Sequence, residues 1–240
     1  MSEQHVTRYD DQAAGSPSNP SPGPKLSTNQ NPIKVLIADD HPIIVVALTE
    51  MLGSALGSGN VVVDSVSDGD GLLRHLETEQ LDYLILDLYM PGRFKSIALV
   101  QEILAKQPNL QIIVYTGSEL PCLALSALEI GAQGFVSKSS GPRTVIEAIF
   151  AVMLGKNFVD PAIDVVSAKS HPWYQLTSGE QAVVLALARG ENLQAIAIDS
   201  SRSYKTVTTH KYNAMRKLGL RSNDEIGRYL ERNGLTHLIG

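Results

Sequence analysis

Asp39, Asp40, Asp87, Thr116 and Lys138 each stand just after a short apolar run: Val35-Leu36-Ile37-Ala38, Tyr83-Leu84-Ile85-Leu86, Ile112-Ile113-Val114-Tyr115 and Phe135-Val136. Short apolar runs that alternate with longer helical patterns read as buried parallel strands with crossover helices. The polar residues then meet at the carboxyl edge of one sheet, where open α/β folds build their sites. A single Asp after a strand is ordinarily a turn or cap residue; three carboxylates, a hydroxyl and an ammonium together are a different matter. Like charges oppose each other's ionisation unless a cation neutralises them. Hard oxygen donors suit Mg²⁺, which keeps several waters and takes few carboxylates. The expected ligands are Asp40 and Asp87, with Asp39 holding a coordinated water. Asp87 is the expected nucleophile, because carboxylates form acyl phosphates. Lys138 and Thr116 would supply a cation and a donor where charge develops on the phosphoryl oxygens.

A second set of residues has a different chemistry. Arg202, Lys205, Lys211, Arg216, Lys217 and Arg221 lie in one short stretch with no acid between them. Such a stretch is a nucleic-acid footprint or a solvated helix face. The net charge of -5 conceals this division: residues 32–155 hold 14 acidic and 7 basic side chains, whereas residues 173–240 hold 6 acidic and 9 basic.

The elements needed to position both sets are legible. Residues 1–31 are rich in Ser, Pro, Asn, Gln and Gly, lack apolar periodicity, and are expected to be a disordered tail. Residues 32–155 alternate strands (33–38, 61–66, 82–86, 111–115, 134–136) with helices (42–54, 69–79, 96–106, 120–131, 142–154). Five βα units predict a doubly wound five-stranded parallel sheet with helices on both faces. Pro42, Pro121 and Pro142 fall where a first helical turn tolerates proline. Residues 156–172 read as a linker whose middle, 162–167, is a candidate short helix. From 173 to 240 only helical segments appear, about 177–189, 192–199, 203–218 and 222–233. Thr177 with Glu180 spells a capping box, and Ser203 caps the basic helix. A short helix, a turn and a longer basic helix form a helix-turn-helix in a small all-α domain. Val207, Ala214, Met215 and Leu218 make its inward stripe. Thr208, Thr209 and Tyr212 are placed for base edges, and Lys205, His210, Lys211, Arg216 and Lys217 for phosphates. Thr and Tyr specify weakly, so thymine methyl groups and DNA shape would carry much of the readout.

Composition narrows the class. With 43% hydrophobic residues the chain can build real cores, and its one cysteine, Cys122, excludes an intrachain disulfide. No run approaches the roughly 20 apolar residues of a membrane span, and the N-terminus lacks the apolar centre of a secretory signal. The expectation is a cytoplasmic protein with no membrane partner.

Two sets of motifs carry a resemblance. Ile37-Ala38-Asp39-Asp40-His41-Pro42, Leu86-Asp87-Leu88-Tyr89-Met90-Pro91-Gly92, Thr116-Gly117-Ser118 and Gly134-Phe135-Val136-Ser137-Lys138 resemble the flavodoxin-like receiver domain of two-component response regulators. Lys205-Thr206-Val207-Thr208-Thr209-His210-Lys211, with Arg216-Lys217-Leu218-Gly219-Leu220, resembles the LuxR-type helix-turn-helix. The whole chain is similar to the NarL/FixJ class, most like its RcsB type. The resemblance implies phosphorylation of Asp87 by a histidine kinase or a histidine phosphotransfer protein. It implies metal contact from the backbone carbonyl of Tyr89, and a switch pair of Thr116 and Phe135. Thr206 joins the DNA-binding set on the same ground. The RcsB likeness points to envelope, exopolysaccharide or motility genes. Three departures stand out: Arg93-Phe94-Lys95-Ser96 replaces the usual Asp-Gly pair, Ser139 follows the lysine where many receivers have Pro, and Ser200 stands where the helix-turn-helix family has a large apolar residue.

The function expected is a regulator of transcription that binds double-stranded promoter DNA as a homodimer, contacts RNA polymerase, and turns over no external substrate. An alternative is a phosphorylation-independent co-regulator whose receiver is an interaction surface, including for a heteromeric partner. A Mg²⁺-dependent phosphohydrolase of the haloacid-dehalogenase type would need a second acid two residues after the nucleophile. Tyr89 stands there.

Overall fold

The computed structural model describes residues 31–239; apart from Asn31, the tail expected at 1–31 lies outside them. From the amino end the elements are β1 (Ile33–Ala38), α1 (Pro42–Leu56), β2 (Val61–Val66), α2 (Gly69–Thr78), β3 (Tyr83–Leu86), α3 (Ser96–Lys106), β4 (Gln111–Thr116), α4 (Pro121–Ile130), β5 (Gly134–Ser137), α5 (Pro142–Met153) and β6 (Phe158–Val159). The sheet is parallel throughout, in the order β2-β1-β3-β4-β5-β6. The order reverses at β1, beside β3, and the crevice there is the usual ligand position of such sheets.

Side chains of one strand alternate between two cores. Leu36, Leu84, Leu86, Ile112, Val114 and Phe135 pack on one face with residues of α2, α3 and α4. Val35, Ile37, Ile85, Ile113, Tyr115 and Val136 pack on the other with residues of α1 and α5. Burial on both faces explains why these strands read as continuous apolar runs. Pro42, Pro121 and Pro142 all begin their helices. Gly92, at φ 146, lets the β3–α3 segment run against α2: an added Cβ would stand 3.0 Å from the Gly69 nitrogen.

The sheet has six strands, not five. The extra strand comes from the segment read as linker: Phe158 N donates to Gln133 O and Asp160 N to Phe135 O. Two residues are too few to show a period, so sequence pattern cannot reveal such a strand. The rest of that segment holds α6 (Val165–Lys169), displaced towards the carboxyl end from the expected 162–167, and a 3-10 turn at Pro172–Gln175.

Four helices follow: α7 (Ser178–Ala188), α8 (Leu193–Asp199), α9 (Tyr204–Leu218) and α10 (Asp224–Arg232). The capping box of Thr177 and Glu180 forms, and Ser203 accepts from the Thr206 nitrogen at the start of α9. Gly219 ends α9 in the left-handed conformation, φ 70. Cys122 and Leu125 of α4 share one apolar cluster with Trp173, Tyr229 and Leu235, so the sheet domain and the helical domain are packed together along α4. A hydrogen bond of 3.4 Å joins Ser126 Oγ to Tyr174 Oη across the same contact.

Candidate functional site

The ends of β1, β3 and β5 bring Asp39, Asp87 and Lys138 together. Asp39 and Asp87 are each only 4% exposed. Lys138 Nζ lies 2.7 Å from Asp39 Oδ2 and 2.7 Å from Asp87 Oδ2. Burial works against the charge on this ammonium, but its hydrogen bonds to the two carboxylates and their charges outweigh that, and its pKa lies above the ordinary lysine value. Asp40 sits at the rim. Atoms of Asp39, Asp40, Asp87 and His41 that can bind metal lie within 4.8 Å of one another. Those donors are mostly hard carboxylate oxygens at an accessible sheet edge, which fits Mg²⁺.

His41, outside the site expected from sequence, belongs to this group. Its Nδ1 is 2.9 Å from a carboxylate oxygen of Asp39 and 2.9 Å from one of Asp40. Its backbone nitrogen donates to Asp39 Oδ1. Adjacency to the Asp pair was the available signal, but a histidine preceding a helix-starting proline reads first as a flank of α1.

Tyr89 N donates to Asp87 Oδ1 at 3.2 Å, and the phenol is exposed. Thr116 is fully buried, and among the described residues its hydroxyl has no hydrogen-bond partner. An unmet buried hydroxyl costs about 1–3 kcal/mol, so it stands ready to take an acceptor that arrives in the pocket. Phe135 is fully buried in the core under α4. Arg93, one of the departures, stacks its guanidinium on its neighbour Phe94 at 5.2 Å.

The basic helix α9 presents a separate surface. Val207, Ala214, Met215 and Leu218 are buried, as the stripe requires. Lys205, Thr206, Thr208, Thr209, Tyr212 and Arg216 are exposed. Thr208 and Thr209 hydroxyls donate to the carbonyls of Tyr204 and Lys205, each at 2.9 Å. Their polar atoms are thus occupied within the helix, which suits the contact of threonine methyls with thymine. An open groove of about 770 Å³ runs beside the helix, lined by Lys211, Tyr212, Arg216 and Arg221 among others. Arg221 belongs to the basic stretch but lies beyond the helix, where helical phase gives no placement.

Two residues expected on that surface lie against α7 or the turn before it. Lys217 Nζ is 2.7 Å from Glu180 Oε2 and donates to the Gln175 carbonyl at 3.2 Å. It ties α9 to the capping box of α7. His210 is half-buried, its Nε2 beside Gly179, where an added Cβ would come within 3.1 Å of it.

Among the described residues no helix is long and apolar enough to cross a membrane.

Both segments match known protein families. The response regulator receiver domain family matches residues 35–150, and the LuxR family of bacterial regulatory proteins matches 174–230. Response regulator GacA of Pseudomonas aeruginosa is 27% identical over 85% of this chain and 98% of its own. Transcriptional regulatory protein RcsB of Escherichia coli K12 is 31% identical over 83% of this chain and 94% of its own. A solved structure of two RcsB dimers bound to two parallel DNAs has a TM-score of 0.60 at 31% identity, covering 84% of this chain and 98% of that one. RcsB of Salmonella enterica serovar Typhimurium, bound to promoter P1flhDC in the presence of the phosphomimetic BeF₃⁻, also has a TM-score of 0.60, at 31% identity over 83% of this chain and 98% of that one. With the carboxylate–lysine pocket at one end and the basic helix at the other, this chain belongs to the response regulators that join a receiver domain to a LuxR-type DNA-binding domain and regulate transcription.

Proposed function

We propose that Asp87 accepts a phosphoryl group from a phosphohistidine donor, and that this favours a dimer which binds promoter DNA through α9. The observation that carries the reading is Lys138 held 2.7 Å from both Asp39 and Asp87, next to a buried Thr116 hydroxyl with no partner. In the transfer, Asp87 Oδ attacks phosphorus, a P–O bond forms, and the P–N bond to the donor imidazole breaks, the electron pair leaving on nitrogen. Lys138 then pairs with the new phosphoryl oxygens rather than with the carboxylate. Thr116 donates its hydroxyl to one of them. Asp39, Asp40, Asp87 and the Tyr89 carbonyl would hold Mg²⁺, which receivers use in this acidic pocket; when bound it neutralises charge on carboxylate and phosphoryl oxygens.

The added dianion biases a two-state element. Phe135, on the strand that precedes the lysine, follows Thr116. The helical domain, packed on α4, receives the shift. In the dimer two copies of α9 read half-sites about one DNA turn apart. Lys205, Lys211 and Arg216 contact phosphates; Thr208, Thr209 and Tyr212 face bases. We place the donor as a histidine kinase or phosphotransfer protein, the compartment as the cytoplasm, and RNA polymerase among the contacts. The likeness to RcsB supports envelope, exopolysaccharide or motility genes as targets, and a heteromeric co-regulator as a further partner.

The test is covalent. Incubation with acetyl phosphate and Mg²⁺ should give one acyl phosphate, trapped by borohydride and mapped to Asp87 by mass spectrometry. Labelling that persists in Asp87→Ala, or needs no divalent metal, contradicts the reading.

A further inference from the structure

Lys138 lies between two serines, and both reach a carboxylate on another loop. Ser137 Oγ donates to Glu119 Oε1 at 3.0 Å, and Ser139 Oγ donates to the same oxygen. Ser137 Oγ in turn accepts from the Ser139 nitrogen at 3.1 Å. These two bonds hold the Glu119 carboxyl below its ordinary pKa, the Ser139 bond first. Ser139 stands where many receivers have proline, which has no hydroxyl to offer.

The far side of this tie is fixed. Ser137 is fully buried, and its nitrogen donates to Asp160 Oδ2 at 3.1 Å. Asp160 is itself buried and also accepts from the Ala162 nitrogen at 2.9 Å. The near side is the short segment that connects the phosphate site to the helical domain. Glu119 follows Thr116 by three residues and precedes Pro121, the first residue of α4, by two. Cys122 and Leu125 of that helix lie under Trp173 and Tyr229.

We propose that Glu119 is a positioning residue: by accepting from Ser137 and Ser139 it fastens the β4–α4 segment in its unphosphorylated placement and opposes the movement of Thr116 towards a phosphoryl group on Asp87. This rests on Asp87 being the phosphoacceptor. In the fastened placement Lys138 is on the bare carboxylates and the Thr116 hydroxyl is unpartnered. A contact made only in one state raises the apparent dissociation constant of any ligand that selects the other. The tie therefore sets how readily the switch responds, without touching the phosphoryl group.

The test is beryllofluoride binding to the full chain in Mg²⁺, read directly from the ¹⁹F NMR signal of the bound form. Glu119 and Ser139 are exposed, so truncating either opens no cavity. Glu119→Ala, which removes both bonds, should tighten apparent binding by about threefold to tenfold, the scale that solvent exposure leaves to such charge-assisted contacts. Ser139→Ala should act in the same direction by less, and the double variant should add nothing to Glu119→Ala. Glu119→Gln, which keeps an acceptor without the charge, should fall between. Without beryllofluoride the same variants should melt slightly lower; a merely structural contact would weaken folding and binding together. Unchanged or weaker binding in Glu119→Ala overturns the proposal. Absence of a bound signal in the wild type overturns the phosphoacceptor reading itself, and the proposal with it.

Discussion

Replacing Lys138 by methionine keeps the length of the side chain and removes the ammonium in contact with Asp39 and Asp87. Two carboxylates, each 4% exposed, are then left facing each other. Breaking a buried pair by removing one partner costs about 3–5 kcal/mol. The site is open at the Asp40 rim, where water and ions enter, so we expect about 2–3 kcal/mol in the absence of divalent metal. Mg²⁺ restores a cation to the same oxygens, so the deficit should fall below about 1 kcal/mol at saturating metal. The pH dependence has a definite sign. The Lys138 pKa is raised in the folded protein, so its contribution is fully present below the ordinary value of 10.5 and is lost only as pH climbs through the raised one. The assay is urea unfolding of both proteins with EDTA or with Mg²⁺. A deficit under about 0.5 kcal/mol in EDTA, or one that Mg²⁺ leaves unchanged, refutes the claim that lysine and metal neutralise the same carboxylates.

Other perturbations have equally definite outcomes. Ser96 begins α3 at φ 55, a strained conformation for any residue but glycine, so Ser96→Gly should stabilise by about 0.5 kcal/mol after its larger unfolded-state entropy is subtracted; unchanged urea unfolding counts against this. Lys205→Ala and Arg216→Ala should each lower the salt slope of DNA binding by about 0.9. Lys217→Ala should leave that slope nearly unchanged and instead lower the melting temperature, because its ammonium is held by Glu180. His237 is pushed below the ordinary histidine pKa by burial, against a weaker effect of its bond to the Gly234 carbonyl. It therefore stabilises the fold above the ordinary histidine value of 6.5 and loses that contribution as pH falls through the depressed one. Melting curves for wild type and His237→Phe should show wild type losing stability relative to the variant as pH falls below 6.5; a difference that does not change with pH refutes this.

The sequence made the strand ends legible because fully buried parallel strands are uniform apolar runs that stop abruptly at a charged residue. Asp39, Asp87 and Lys138 meet as the alternation of elements requires. Caps were legible where the cap residue acts locally, as at Thr177 and Ser203. What escaped depends on distant partners. The β6 strand exists only because Gln133 and Phe135 offer carbonyls to a passing segment. The face of α4 that meets the helical domain could not be separated from its core face, since Leu123 and Leu125 differ in place but not in chemistry. Lys217 follows Ala214 by three residues and adjoins Leu218, both buried. Its helical phase was a usable signal that the clustering of positive charge obscured.

The central claim is that the state of Asp87 governs DNA binding by α9. The most direct measurement is selection of genomic DNA fragments on the purified full chain, with and without Mg²⁺ and beryllofluoride. Fragments enriched only with the phosphoryl mimic are the predicted result, and their sequences name the target promoters. Equal enrichment in both states would contradict the claim, leaving DNA binding in place and the receiver's pocket without control over it.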